Sequence, residues 1–515
     1  MKIHSILLAI VAMALVPVAA ETHDKSVQGT YVYLHDYQHL VSNGDWSLAL
    51  ETAILDVQNL TEQFGQDYTL MVDASQTSTY NIDDLDMSGL RYVHIRGTGN
   101  PTFSAKTFKL NFEAGNSATR CNIYQMTFDG VRGLGTDGAY NNLVIRDLHQ
   151  AQITGNTFIN ASQSGLVLWN LENAWANGNT FWNIGADHRT LAGNHIGSAI
   201  IFQNVHNGSA SSNTITKVWQ IGIFVSSQNG YSSYIDIQQN TLTDIADNGI
   251  RTQPDAPGSV SNIAIAYNHV SGVNIDCIRA NGDAIQVRNN TLYGGGSSQG
   301  DGDGATTNGI KGATLTNSII DGNTINGTSS GISLIAREGD ITNTTVSNNT
   351  VNLGSPYQGA AIRIANSLST NAVSNITVTG NTLRGYTYGG IVLEGEPGLR
   401  MVGIDLVNNG FWGSDPEALS IKCAYANGTD ILNNQISSGN LAIYVAHSSF
   451  GNISNNRIGS TIPTSYAWPA GISMKPTTSG FSIANNDFCN LDQAWWVVDQ
   501  GSMNMVGSAE EACHF

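Results

Sequence analysis

Ile153-Thr-Gly-Asn156-Thr-Phe158, Ile237-Gln-Gln-Asn240-Thr-Leu242, Ile265-Ala-Tyr-Asn268-His-Val270 and Val287-Arg-Asn-Asn290-Thr-Leu292 are copies of one unit. It reads aliphatic, two small or polar residues, asparagine, any residue, large apolar residue. Its asparagine recurs at Asn156, Asn179, Asn213, Asn240, Asn268, Asn290, Asn323, Asn349, Asn381, Asn409, Asn434, Asn456 and Asn486, a mean step of about 27 residues, the scale of one solenoid coil. Apolar residues flank the asparagine with a period of two, so each unit is a short strand. A residue that recurs once per coil must stack on its counterpart in the next. Stacked asparagine amides can hydrogen-bond along the solenoid, which makes this column structural. The column also generates glycosylation-like triplets such as Asn289-Asn-Thr291, Asn348-Asn-Thr350 and Asn375-Ile-Thr377, so these carry no expectation of a sugar.

A second strand type lies between these units: Gly165-Leu-Val-Leu-Trp169, Gly222-Ile-Phe-Val225, Gly249-Ile-Arg-Thr252, Gly331-Ile-Ser-Leu334, Ala361-Ile-Arg-Ile364 and Gly390-Ile-Val-Leu-Glu394. Its aliphatic positions point inward to a stacked core and its variable positions form an outward column. Two or three strands per coil close such a solenoid. The composition agrees, since 55 glycines and only 12% charged residues describe short strands and tight turns rather than long helices.

The two ends and the charge bound the setting. Lys2, the apolar run Ile6 to Val16 and the small residues of Pro17-Val18-Ala19-Ala20 read as an export signal, because a membrane-spanning helix needs roughly 20 continuous apolar residues. The expected organisation is residues 1–20 as signal peptide, 21–100 as N-terminal cap and first coil, 101–490 as coils and 491–515 as C-terminal cap or tail. A formal charge of −18 argues against a nucleic-acid or anionic-membrane partner. Cys121, Cys277, Cys423, Cys489 and Cys513 have no metal-site spacing, and in an oxidising compartment Cys489 with Cys513 is the plausible bridge. A monomer is expected.

With these repeats the chain resembles the pectate-lyase-like superfamily of right-handed parallel β-helix proteins, which includes lyases, polygalacturonases, carrageenan hydrolases, mannuronan epimerases and phage tailspikes. Ser42-Asn-Gly-Asp45-Trp-Ser-Leu48-Ala49-Leu-Glu-Thr-Ala53-Ile54 looks like the capping helix of this group, with Asp45 as N-cap and Leu48, Ala49 and Ala53 on its apolar face. Val93-His-Ile-Arg-Gly97-Thr-Gly-Asn-Pro101 is similar to the first coil after such a cap. The resemblance implies an all-β, single-stranded right-handed parallel β-helix. It leaves the reaction open, because the superfamily hosts enzymes and non-catalytic fibres alike. The paired aspartates with Gly-His-Gly of polygalacturonases and the Asp-Pro-His of mannuronan epimerases are missing from the sequence.

Aligning the second strand type coil by coil puts Arg251, Arg279, Lys311, Ser333 and Arg363 at one outward position. Like charges on adjacent strands ~4.8 Å apart destabilise a sheet unless something neutralises them. Guanidinium forks suit the uronate or sulfate groups of an anionic polysaccharide. Removing the proton beside a uronate carboxylate needs that carboxylate neutralised and a base nearby, and Lys311 is the preferred base, with Arg279 and Arg251 beside it. Arg363, Gln253, Arg337, Trp169 and the histidines of an insertion, His188 and His195, are the expected substrate contacts. Asp276, Asp283, Asp301 and Asp303 could hold Ca²⁺. The expected activity is a polysaccharide lyase. The alternatives are a hydrolase built on two carboxylates, drawn from these aspartates and Glu338, and a non-catalytic polysaccharide-binding adhesin. The bland reading of the column is solvated cations paired with Asp276, Asp283, Glu338 or Asp340.

Overall fold

The computed structural model describes residues 30–131, 134, 140–185, 197–295, 308–353, 359–367, 370–399, 401–413, 418–437, 441–459, 470–489, 491, 496–507 and 509–511. The signal segment 1–20, the insertion bearing His188 and His195, the loop bearing Asp301 and Asp303, and Cys513 all lie outside these residues.

Each coil carries three strands, for example Val260–Ala266, His269–Val273 and Asp276–Arg279. We call the three stacks they form sheets I, II and III. Each strand pairs in parallel with its counterparts one coil before and one coil after, so 48 strands join in a continuous wound sheet. Parallel neighbours need a connection that travels around the coil. In sheet I, Ile237, Ile265, Val287, Ile320, Val346 and Val378 lie directly over one another, each buried, as the period of two requires. In sheet II, Phe128, Phe158 and Phe181 stack face to face at centroid distances of 5.1 and 4.8 Å. Burying each such side chain contributes about 1.5–3 kcal/mol.

Sheets I and II meet at a two-residue turn whose second residue is the repeating asparagine. Its first residue adopts the left-handed conformation in every coil from Gly155 to Asn485, with φ between 52° and 68°. That explains the two small or polar residues of the repeat, since glycine and asparagine tolerate this conformation best. The asparagine itself is fully buried and bonds in three directions. Asn268, for instance, donates from Nδ2 to the Ile237 carbonyl at 2.9 Å and to Asn290 Oδ1 at 2.9 Å, while its backbone N–H donates to that same Oδ1 at 2.9 Å. The pattern runs unbroken from Asn156 to Asn486.

Ser212, Gln239 and Tyr267 depart from these easy turn residues, and Tyr267 is the bulkiest. Tyr267 holds φ 57° with 59% of its surface exposed. A bulky side chain there costs roughly 1–2 kcal/mol without compensating burial. Tyr267→Asn is therefore expected to stabilise the protein by about 1 kcal/mol, seen as a higher urea midpoint at unchanged slope.

The N-terminal cap differs in two details from the sequence expectation. The helix spans Ser47–Phe64, and Asp45 caps it from two residues upstream, its carboxylate accepting the Ser47 N–H at 3.0 Å. Leu48 is not on the apolar face but 56% exposed; Ala49, Leu50, Ala53, Ile54 and Val57 form the buried stripe. The solenoid also starts earlier than Val93. Tyr31–Tyr33 and Thr69–Asp73 already pair in parallel below Tyr92–Thr98, so the helix is inserted within the first coil rather than preceding it.

Connections differ sharply between corners. Sheet I passes to sheet II in two residues, whereas sheet II passes to sheet III through residues 130–142, 185–199, 294–307, 353–359 and 460–469.

Candidate functional site

The outward residues of sheet III stand in register from coil to coil. Arg251 faces Arg279, Arg279 faces Lys311, Lys311 faces Ser333 and Ser333 faces Arg363. The same column continues upstream through Phe224, Ile201, Val167 and Val144, and downstream through Val392, Lys422 and Tyr444. The cations thus occupy the middle of a lane that is apolar on its N-terminal side.

Carboxylates from neighbouring segments meet most of these cations. Arg251 lies 4.0 Å from Asp247, one coil corner earlier. Arg279 bonds Glu338, whose other oxygen accepts Asn281 Nδ2 at 3.1 Å. Arg363 donates through Nε and Nη2 to Glu394 Oε2 at 3.0 and 2.8 Å. Lys422 reaches Glu394 Oε1 at 2.8 Å and the Tyr388 hydroxyl at 2.6 Å. The bland pairing is therefore realised for Arg279 with Glu338. Lys311 differs from its neighbours: it makes no hydrogen bond or ion pair among the described residues, and it is half-buried.

Burial shapes the charges. It lowers the Arg251 guanidinium from its ordinary value, and Arg279 adds to that. Asp247 is pushed up by burial, which Arg251 only partly offsets. At Glu394 burial works upward, yet hydrogen bonds from Lys422 and Tyr388 hold the carboxyl below its usual range. Arg251 keeps a buried Nε with no partner among the described residues, as do Arg279 Nε and Gln253 Oε1. Unpaired polar atoms gathered in one buried spot cost stability unless a ligand meets them.

The other sequence candidates divide. Gln253 lies two positions beyond Arg251 on the same face, in a column running back through Ser226 and Gln203 to Trp169. Trp169 has the Arg146 guanidinium over its ring at 4.2 Å and packs on the apolar part of the lane. Arg337 is exposed just past the strand Ser330–Ala336. Asp276 and Asp283 are not brought together as a calcium pair. Asp276 is buried at the start of a sheet III strand, accepting Asn308 Nδ2 at 2.7 Å. Asp283 belongs to another corner, where its Oδ1 accepts Thr316 Oγ1 at 2.6 Å and Asn317 Nδ2 at 2.7 Å. There it begins an outer ladder that continues through Asn343 to Asn375. Among the described residues no group of three or more His, Cys, Asp or Glu is placed to hold a metal ion. Of the groups the sequence reading missed, Asp247 was findable, four residues before Arg251. The Tyr388–Glu394–Lys422 cluster was not, because it depends on contacts between coils.

Among solved structures of like fold, the chain aligns with the A-module of the mannuronan C-5 epimerase AlgE4 of Azotobacter vinelandii at 12% identity and a TM-score of 0.35, over 94% of this chain and 100% of that one. It aligns with PfbA, a surface adhesin of Streptococcus pneumoniae, at 14% identity and 0.43, over 88% and 93%. It also aligns with DFA-IIIase from Arthrobacter chlorophenolicus A6 at 10% identity and 0.34, over 95% and 100%. A comparison with curated protein sequences gives no match. Two family models match successive segments: "Right handed beta helix region" over residues 93–292 and "Periplasmic copper-binding protein (NosD)" over residues 295–502. With its parallel three-sheet coils, the chain is a right-handed parallel β-helix protein.

Proposed function

We propose that this chain is an exported enzyme that cleaves an anionic polysaccharide on the outer face of sheet III, by β-elimination next to a uronate. The observation that carries the reading is the in-register column in which Lys311, unpaired, stands between Arg279 and Ser333 and within two coils of Arg251 and Arg363. In this reading Arg251 and Arg279 neutralise the uronate carboxylate, which makes the adjacent carbon acidic. Lys311 takes the proton from that carbon; the electron pair forms the new double bond as the glycosidic C–O bond breaks, and water protonates the departing oxygen while the proton on Lys311 passes to solvent. The arginines supply the neutralising charge without a calcium ion. Export is supported by the pattern of residues 1–20 and by the periplasmic description of the matching family model.

The second reading, a hydrolase with paired carboxylates, is favoured by Asp247, a half-buried carboxyl held high next to Arg251 and so suited to serve as an acid. The copper binding in that family description fits poorly here. Among the described residues of the matched segment, Cys423 and Cys489 are both buried, the Cys423 thiol is pushed up to about 12 by burial, and no group of three or more His, Cys, Asp or Glu is placed to hold a metal ion.

Incubation with alginate, polygalacturonate, carrageenans and glycosaminoglycans, following both the ultraviolet absorbance of unsaturated ends and reducing sugar, separates the readings. Both signals should rise on one uronate polymer. Reducing ends alone would assign hydrolysis, and tight binding without either signal would make the chain an adhesin. Activity lost to a chelator and restored by Ca²⁺ would move charge neutralisation from the arginines to the metal.

A further inference from the structure

The lane of sheet III is unequal along its length. Side-chain exposure is 8% at Arg251, 16% at Arg279 and 41% at Arg363. Upstream of Arg251 the same column is apolar for four coils, before it reaches Lys109: Phe224, Ile201, Val167 and Val144 are only 8%, 9%, 9% and 1% exposed although they point away from the main core, and Ile221 and Trp169 pack against them. A hydrated polyanion cannot continue over Val, Ile and Phe, because each carboxylate would lose its water with no partner to replace it. The other direction offers Arg363 at the surface, held by Glu394 rather than enclosed.

We propose that this lane is blind and grips the end of an anionic sugar chain, so that the enzyme acts from the terminus and releases short products. The inference rests on the polysaccharide reading above and deepens it. Arg251 and Phe224 form the stop, with the guanidinium 5.9 Å from the ring centroid. That arrangement offers a terminal sugar a cation for its carboxylate, backed by an apolar side chain that ends the polar part of the lane. The unpaired buried Nε atoms of Arg251 and Arg279 and the unpaired Gln253 Oε1 lie at this closed end, where a terminal residue would bring hydroxyl and carboxylate groups. The remaining sugars extend past Lys311 toward Arg363, and the bond cut lies a fixed distance from the stop.

The test uses the whole enzyme with alginate and with polygalacturonate, each long-chain and partly depolymerised, following product size by chromatography and solution viscosity together. A blind lane gives one short product from the earliest times, viscosity falling only in proportion to bonds cut, and a rate that scales with the number of chain ends at equal mass. The Phe224→Ala variant shortens the stop, so its principal product should lengthen, and substrate whose ends are chemically blocked should react at least about tenfold more slowly with the wild type. A broad range of product sizes with early collapse of viscosity would overturn the proposal while leaving the anionic-polysaccharide reading intact. Neither cleavage nor binding of any anionic polymer would overturn both. Should Phe224→Ala fail to fold, the blocked-end comparison on the unaltered enzyme decides the matter alone.

Discussion

Replacing Lys311 by alanine is expected to lower turnover by about 10²–10⁴-fold, the ordinary contribution of a positioned base, and to leave the fold unchanged. The second half follows from the geometry: Lys311 has no hydrogen bond or ion pair among the described residues, so its removal orphans no partner. Its neighbours behave differently. Arg279→Ala would strand Glu338, and Arg251→Ala would strand the half-buried Asp247, so both are expected to lose stability as well as activity. Parallel measurement of turnover and of urea unfolding distinguishes the two kinds of loss. Near-normal turnover in Lys311→Ala would remove this residue from the chemistry. Loss of turnover in Arg279→Ala alone, with Lys311→Ala active, would point to the carboxylates and hence to hydrolysis.

Asn290→Ala is expected to cost about 3–6 kcal/mol of stability, because several buried groups lose partners at once and each unsatisfied group costs about 1–3 kcal/mol. Asn290 Nδ2 donates to the Ile265 carbonyl at 2.8 Å and to Asn323 Oδ1 at 3.0 Å, and its Oδ1 accepts both the backbone N–H and Nδ2 of Asn268 at 2.9 Å. The outer ladder supplies the control. Asn375→Ala removes a bond of 3.1 Å to Asn343 in an exposed position, where water takes over the freed groups, and should cost under about 1 kcal/mol. Denaturant midpoints of the two variants, measured side by side, test the contrast. Equal effects would mean that the buried column is not what holds the coils in register.

The buried ladder and the sheet III register were legible in the sequence for the same reason. Both depend on one residue per coil, and a side-chain period of two leaves little freedom once the asparagine fixes the phase. Arg251, Arg279, Lys311 and Arg363 could therefore be aligned from the repeat alone. Their carboxylate partners could not. Glu338 sits beyond the end of its strand and Glu394 two positions from the column, so their contacts depend on how side chains lean across coils. Asp283 shows the opposite failure: beside Asp276 in sequence it suggests a metal pair, yet the chain turns a corner between them and gives Asp283 to the outer ladder. Leu48 was misplaced because helical spacing alone does not fix which side of the helix meets the first coil.

The unequal corners divide labour within the molecule. Coil number sets how long the solenoid is, and the two-residue turns allow no variation without breaking the ladder. Segment length between sheets II and III is unconstrained by that ladder, so residues there can be lengthened, shortened or exchanged while every strand keeps its neighbour. The protein can thus be treated as a rigid spindle with one editable fringe. Grafting a connection from another coil at that edge should alter which polymer the lane accepts without changing the spindle's thermal midpoint, whereas a single added residue at the opposite turn should unravel it.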